Sequence, residues 1–223
     1  MDRELKVTRQ EYPRPSLVRP LWQNLNGEWQ FEEDNALVGE ERRFYEREEF
    51  KKKIIVPFAP ESELSGIGNT DFIFGVWYKK KFRITREGRN HRVIIHFGAV
   101  DYDTKVWVNG TLVGRHIGGF TPFSFDITHL VRTDVKNDLI VFAKDDTRNP
   151  LQPTGKQAVK YANSGCHYTR TTGIWQTVWI EYVPDTYITN LKLTPDVDNE
   201  KLHISATLNK SYSGDIHAFA SLK

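Results

Sequence analysis

The sequence predicts an all-β protein built on an antiparallel β-sandwich, and three observations predict it. Short stretches rich in Val, Ile, Phe, Tyr and Trp recur along the chain, and several alternate apolar with polar residues. That period of two marks a sheet with one wet face. Helical periodicity is weak throughout. Turn signals punctuate the strands, strongest at Asn109-Gly110, where both residues accept the positive φ that a type I′ hairpin demands.

The elements follow in order. GEWQFEE (27–33), KIIVPF (53–58), VWYKKKFRI (76–84), RVIIHFGAV (92–100) and KVWVNGTLVGRH (105–116) read as strands. So do FSFDI (123–127), DLIVFAK (138–144) and WQTVWIEYV (175–183). In the last, Val178, Ile180 and Tyr182 form an apolar row, and the mixed opposite row is expected to be half buried too. EERRFYEREEF (40–50) suggests a short helix and THLVRTD (128–134) a single turn. Asn109-Gly110-Thr111 also matches a glycosylation acceptor, but with no export signal in view the turn explains it.

Residues 146–174 differ: they are long, polar and broken by Gly and Pro, with no period. Loops beyond about 12–15 residues are usually functional or disordered. A strong strand follows at once, which argues against disorder. The loop carries Tyr161, His167, Tyr168 and Arg170. After Val183-Pro184 the texture changes to three edge-type strands, in YITNLKLTPDV, KLHISATLN and GDIHAFASLK. The expected organisation is one domain over 1–184 and an incomplete second domain over 185–223, since an immunoglobulin-like sandwich takes about 100 residues. That division suggests a piece of a longer protein.

Hydrophobic residues make up 39% and aromatics 13%, enough for a sizeable core. The net charge of +2 gives no electrostatic case for nucleic acid, and Lys51-Lys52-Lys53 reads as a solvated strand entrance. A single cysteine, Cys166, excludes an intramolecular disulfide and fits a reducing compartment. MDRELKVTRQ lacks the apolar core of a signal peptide, and no apolar run approaches the roughly 20 residues that span a bilayer. A cytoplasmic location without membrane contact is expected.

Few residues announce chemistry. Asp101/Asp103, Asp145/Asp146 and Asp196/Asp198 are close pairs. Retaining hydrolysis of a glycoside needs two carboxyls facing each other across a sugar, about 5–5.5 Å apart. Residues two apart on a strand sit about 7 Å apart on one face, so these pairs read as turn and loop carboxylates. DVDNEK (196–201) begins like a calcium loop but has Lys201 where the glycine must stand. The seven histidines are scattered without zinc spacing. No cofactor or metal is expected. Phe123 and Phe125 share a strand face and read as core, whereas Phe120 follows the Gly118-Gly119 bend and can be exposed.

A family resemblance accumulates across these segments. YPRP (12–15), LWQNLNGEWQFEE (21–33), VPFAPESELSGIG (56–68), WYKKKF (77–82), FGAVDYDTKVWVNGTLVGRHIGGFTPFSFDIT (97–128) and YTRTTGIWQTVWIE (168–181) come in this order. Together they resemble the amino-terminal region of glycoside hydrolase family 2, which holds β-galactosidases, β-glucuronidases and β-mannosidases. The resemblance covers roughly residues 12–183.

The resemblance implies a jelly-roll-like, galactose-binding-domain-like sandwich, then an immunoglobulin-like sandwich, then a TIM barrel carrying both catalytic glutamates. It therefore implies no catalytic residue in this chain. The implied partners are a carbohydrate substrate, the TIM-barrel domain of the same chain and, left open, a second copy in a homo-oligomer. An autonomous carbohydrate-binding module or a structural oligomerisation domain is the alternative. The family's sugar-contacting aspartate stands six positions before the glycine of Gly173-Ile174; here that position holds His167. His167, Tyr168 and Arg170 are the implied substrate contacts, with Asp145 and Asp146 behind them. The loop over 146–172 is expected to be mobile in isolation or held only by crystal packing.

Overall fold

A computed structural model of the chain describes residues 8–219 and 221. Most of the amino-terminal stretch read for export signals, and the end of the third edge strand, lie outside the described residues.

Fourteen strands are formed among the described residues. They are β1 (Trp22–Asn24), β2 (Gly27–Glu33), β3 (Lys52–Val56), β4 (Gly75–Phe82), β5 (Arg92–Phe97), β6 (Val100–Asp101), β7 (Asp103–Val108), β8 (Thr111–Ile117), β9 (Phe123–Asp126), β10 (Asn137–Lys144), β11 (Gly173–Ile174), β12 (Val178–Val183), β13 (Ile188–Asp196) and β14 (Lys201–Leu208). A four-stranded sheet, β1-β12-β5-β9, faces a six-stranded sheet, β3-β2-β4-β10-β7-β8. β11 pairs with β6, and β13 with β14 as a separate hairpin. The all-β sandwich read from the sequence is the observed architecture.

Trp29, Phe31, Ile54, Tyr78, Ile95, Phe97, Val141 and Ile180 fill the space between the sheets. A second cluster lies on the outer face of the six-stranded sheet. Trp77 stacks on Phe142 at 4.5 Å and on Trp107 at 5.4 Å, and Phe44 and Phe50 close over them. Segment 34–50 is the cover. Asp34 fastens it, accepting from Trp77 Nε1 at 3.0 Å and from Gly39 N at 2.8 Å. The six-stranded sheet is thus covered on both faces, and β4 and β10 bury residues of both polarities' rows.

β12 is covered twice as well. Val178, Ile180 and Tyr182 face the core, while Trp179 and Glu181 lie under the amino-terminal arm. Tyr12 and Arg14 of YPRP both donate to Glu181, which explains that motif's chemistry. At the β7–β8 turn, Asn109 and Gly110 take φ of 51° and 82°, as the hairpin demands.

Three expectations fail. Segment 40–50 makes turns and one 3-10 turn at Phe44–Glu46 instead of an α-helix. Arg43 enters it with a left-handed φ of 53°, and Phe44 and Phe50 reach into the Trp77 cluster. Trp175–Thr177 does not extend β12; Gly173–Ile174 pairs with β6 instead. The third edge strand does not form over residues 211–219, which hold no backbone pairing partner beside β13–β14.

Candidate functional site

One end of the sandwich gathers the titratable groups. β10 ends at Lys144 opposite Gly75, the start of β4, and opposite Asp103, the start of β7. Asp145 just past β10 and Asp101 on β6 therefore meet there. Glu61 joins them from the loop after β3. The loop 146–172 leaves from this end and returns to it through Thr172 into β11.

The three carboxylates hold the loop. Gln152 Nε2 donates to Asp145, and Gln157 Nε2 donates to Asp101 Oδ2 at 2.8 Å. Thr172 bridges the other two: its amide donates to Glu61 Oε2 at 3.2 Å and its hydroxyl to Asp145 Oδ2 at 3.4 Å. Gln157 Oε1 in turn accepts from Thr171 N at 2.7 Å. Glu61, Asp101 and Asp145 are only 7%, 1% and 2% exposed. Burial pushes Glu61 and Asp101 up to about 7 and Asp145 up to about 6, and neighbouring carboxylates add to the rise. Gly173 is required at the return: its φ is 74°, and a Cβ there would run into the Tyr78 hydroxyl and Val76.

Two clefts open beside the later part of the loop, and a third, of about 160 Å³, beside its start at Asp146, Asn149, Leu151 and Gln152. One, of about 190 Å³, is lined by Asp101, Phe120, Thr154, Lys156, Gln157, Tyr168, Thr169, Thr171 and Trp175. Phe120 and Trp175 meet edge to face, 6.4 Å apart at 70°, and Trp175 Nε1 donates to Gly119 O at 2.8 Å. The other cleft, of about 270 Å³, takes His167 with Thr154, Gln157, Ala158, Val159, Lys160 and Ser164. Phe123 and Phe125 pack against the core, and Phe120 is exposed.

The residues read from the sequence occupy different positions around this end. His167 is exposed on a turn closed by its own amide to Ser164 O at 3.0 Å. Tyr168, also exposed, is fixed by backbone bonds to Lys156 and Ala158. Arg170 is buried, and its guanidinium donates to the carbonyls of Ala158, Lys160 and Thr70 while lying 4.1 Å over the Phe72 ring. It anchors the loop from beneath. Asp145 is buried among the clamp groups, and Asp146 opens a turn by accepting from Arg148 N at 3.2 Å. The structure thus brings His167 and Tyr168 to cleft walls, with Arg170 and Asp145 supporting them. Glu61, Asp101, Gln157, Phe120 and Trp175 also build this end. Asp101 is visible in the sequence only as half of a close pair, and Glu61 carries no signal of its own.

Residues 69–147 match the family described as "Glycosyl hydrolases family 2, sugar binding domain". A beta-galactosidase of Thermoanaerobacter pseudethanolicus is 34% identical over 126 residues, covering 56% of this chain and 16% of that protein. The beta-glucuronidase of Sus scrofa is 28% identical over 212 residues, 85% of this chain and 32% of that protein. The middle of the sandwich, residues 69–147, is thus similar to a family 2 sugar-binding domain. The fold of the sandwich recurs in a Ruminococcus gnavus beta-glucuronidase solved in complex with uronic deoxynojirimycin. The TM-score is 0.71 at 20% identity, covering 90% of this chain and 36% of that one. The chain spans about a third or less of the length of these relatives. No helix among the described residues is long and apolar enough to cross a membrane.

Proposed function

We propose that this chain is the non-catalytic amino-terminal module of a family 2 hydrolase that cleaves β-galactosides or β-glucuronides with retention. Its loop 146–172 then forms one wall of the sugar pocket. The observation that carries this is the loop's seat: buried side chains fix its root, and His167 and Tyr168 stand on it at two adjacent clefts. An imidazole in place of a carboxylate can still donate or accept a bond to a sugar hydroxyl. Each such bond adds about 0.5–1.5 kcal/mol. The catalytic carboxylates belong to a TIM-barrel domain of the same protein, which is the proposed partner of this face. The proposed domain division lies at 184/185, with the β13–β14 hairpin opening an immunoglobulin-like sandwich. A cytoplasmic setting and self-association complete the proposal.

Alanine at His167 and at Tyr168 in the full-length enzyme tests it. Each variant is expected to lose about tenfold in kcat/KM with unchanged thermal stability. Unchanged kcat/KM in both removes the pocket-wall role. The exposure of Phe120 and Tyr168 beside one cleft favours a second reading, an autonomous carbohydrate-binding module. Phe120 and Trp175 do not form one flat plate, which weakens it. Millimolar or tighter binding of galactosides or glucuronides by the isolated chain decides for the module.

A further inference from the structure

We propose that Glu61, Asp101 and Asp145 are positioning residues that form a proton-gated clamp, seating the loop 146–172 when they carry protons and releasing it as they ionise. The geometry supplies the clamp. Each carboxyl receives a donor from the loop: Gln157 on Asp101, Gln152 and the Thr172 hydroxyl on Asp145, and the Thr172 amide on Glu61. The loop is therefore tied near its start, at its middle and at its return to β11.

The charge environment supplies the gate. Asp145 acts on both Glu61 and Asp101, Glu61 also acts on Asp101, and Asp146 acts on Asp145. Tyr78 from β4 faces Glu61 and is held neutral by burial. Lys156 shares the cleft above Asp101 but is exposed to solvent. Arg170, the buried cation of the loop, gives its donors to backbone carbonyls of Ala158, Lys160 and Thr70. Gly119 covers Asp101 so closely that a Cβ there would overlap the carboxylate. Glu61 Oε1 and Asp101 Oδ1 are buried without a hydrogen-bond partner, so no donor stabilises a charge on either oxygen.

The loop's own donors favour the ionised carboxylates, but burial outweighs them: ionising the groups in place costs free energy that hydration would recover, so the ionised cluster favours an opened loop. The sign follows from linkage. Carboxyls raised in the seated state stabilise it fully below their ordinary value of about 4 and lose that contribution as pH rises. The loss is complete above about 7 for Glu61 and Asp101 and above about 6 for Asp145. The clamp's consequence for a sugar pocket rests on the proposed function; the clamp itself does not.

Amide hydrogen exchange of the 223-residue chain tests it without sugar or catalysis, between pH 5 and 8, normalised for intrinsic exchange. Protection over 152–172 is expected to fall about tenfold or more across that range, while β5, β10 and β12 hold theirs. The double variant Glu61→Gln/Asp101→Asn, which leaves only Asp145 to titrate, is expected to keep most of the loop's protection up to pH 8. Should that variant misfold, Asp145→Asn, retaining only two titrating carboxyls, is expected to show a shallower loss. Loop protection independent of pH in the wild type overturns the clamp. So does an unchanged pH dependence in a folded variant. Failure of sugar binding or of the hydrolase assignment leaves this exchange result unaffected, so the two failures are distinguishable.

Discussion

Nη2 of Arg14 donates to both carboxylate oxygens of Glu181, at 3.1 and 3.0 Å, and so ties the amino-terminal arm to the outer row of β12. Trp179 Nε1 adds a bond to Glu181 Oε1 at 3.1 Å, and His96 Nε2 lies 3.3 Å from Oε2. Removing the carboxylate strands cations beneath the arm. Glu181→Ala is expected to cost about 3 kcal/mol, read from the urea midpoint, and to expose Arg14 and Arg19 to trypsin. Arm cleavage no faster than in the wild type contradicts the tie.

The two carboxylate groupings set opposite pH dependences. Burial alone would raise Glu181, but His96, Tyr12 and Trp179 prevail and hold it down at about 2. Its contribution is present above the ordinary carboxylate value of about 4 and lost as pH falls through about 2. Glu61, Asp101 and Asp145 contribute below about 4 and lose that as pH rises to about 6–7. Tm is therefore expected to peak in mildly acid buffer, and Glu61→Gln to flatten the decline toward pH 8. A Tm that keeps rising from pH 5 to 8 contradicts this balance.

Trp77 joins the outer aromatic cluster to the segment that covers it, through Phe44, Phe142, Trp107 and Asp34. Trp77→Ala is expected to cost about 3–5 kcal/mol in equilibrium unfolding. Cleavage within 34–50 should accelerate with it. A loss below about 1 kcal/mol would show that the cover is dispensable.

Gly173→Ala places a side chain against Tyr78 and Val76 at a positive φ. A loss of about 2 kcal/mol or more is expected, with the Ile174 amide, which donates to Tyr78 Oη at 3.2 Å, losing its exchange protection. A neutral substitution contradicts the packing described.

The strands were legible because their residues fit a pleated, half-buried surface and their turns carry specific chemistry, as at Asn109-Gly110. The row of Trp179 and Glu181 was only partly legible, because its burial depends on an arm about 165 residues earlier in the chain. Helical composition at 40–50 was overridden by two phenylalanines that have a better place under Trp77. The loop was recognisable by length and polarity, whereas His167 and its neighbour Tyr168 were picked out only by the family resemblance, which sets a sugar contact six positions before Gly173. The clamp was not. Glu61, Asp101 and Asp145 come from three distant segments, and only the sheet order brings them to one end. Arg170 showed its charge in the sequence but not its burial, since its partners are backbone carbonyls that no side-chain pattern records.

The most direct measurement is hydrolysis of aryl β-galactosides and β-glucuronides by this 223-residue chain beside the full-length gene product. The chain alone is expected to show no turnover above buffer and the full-length protein to hydrolyse at least one substrate. Turnover by the isolated chain at rates ordinary for a glycosidase would contradict its assignment as a non-catalytic sugar-binding module.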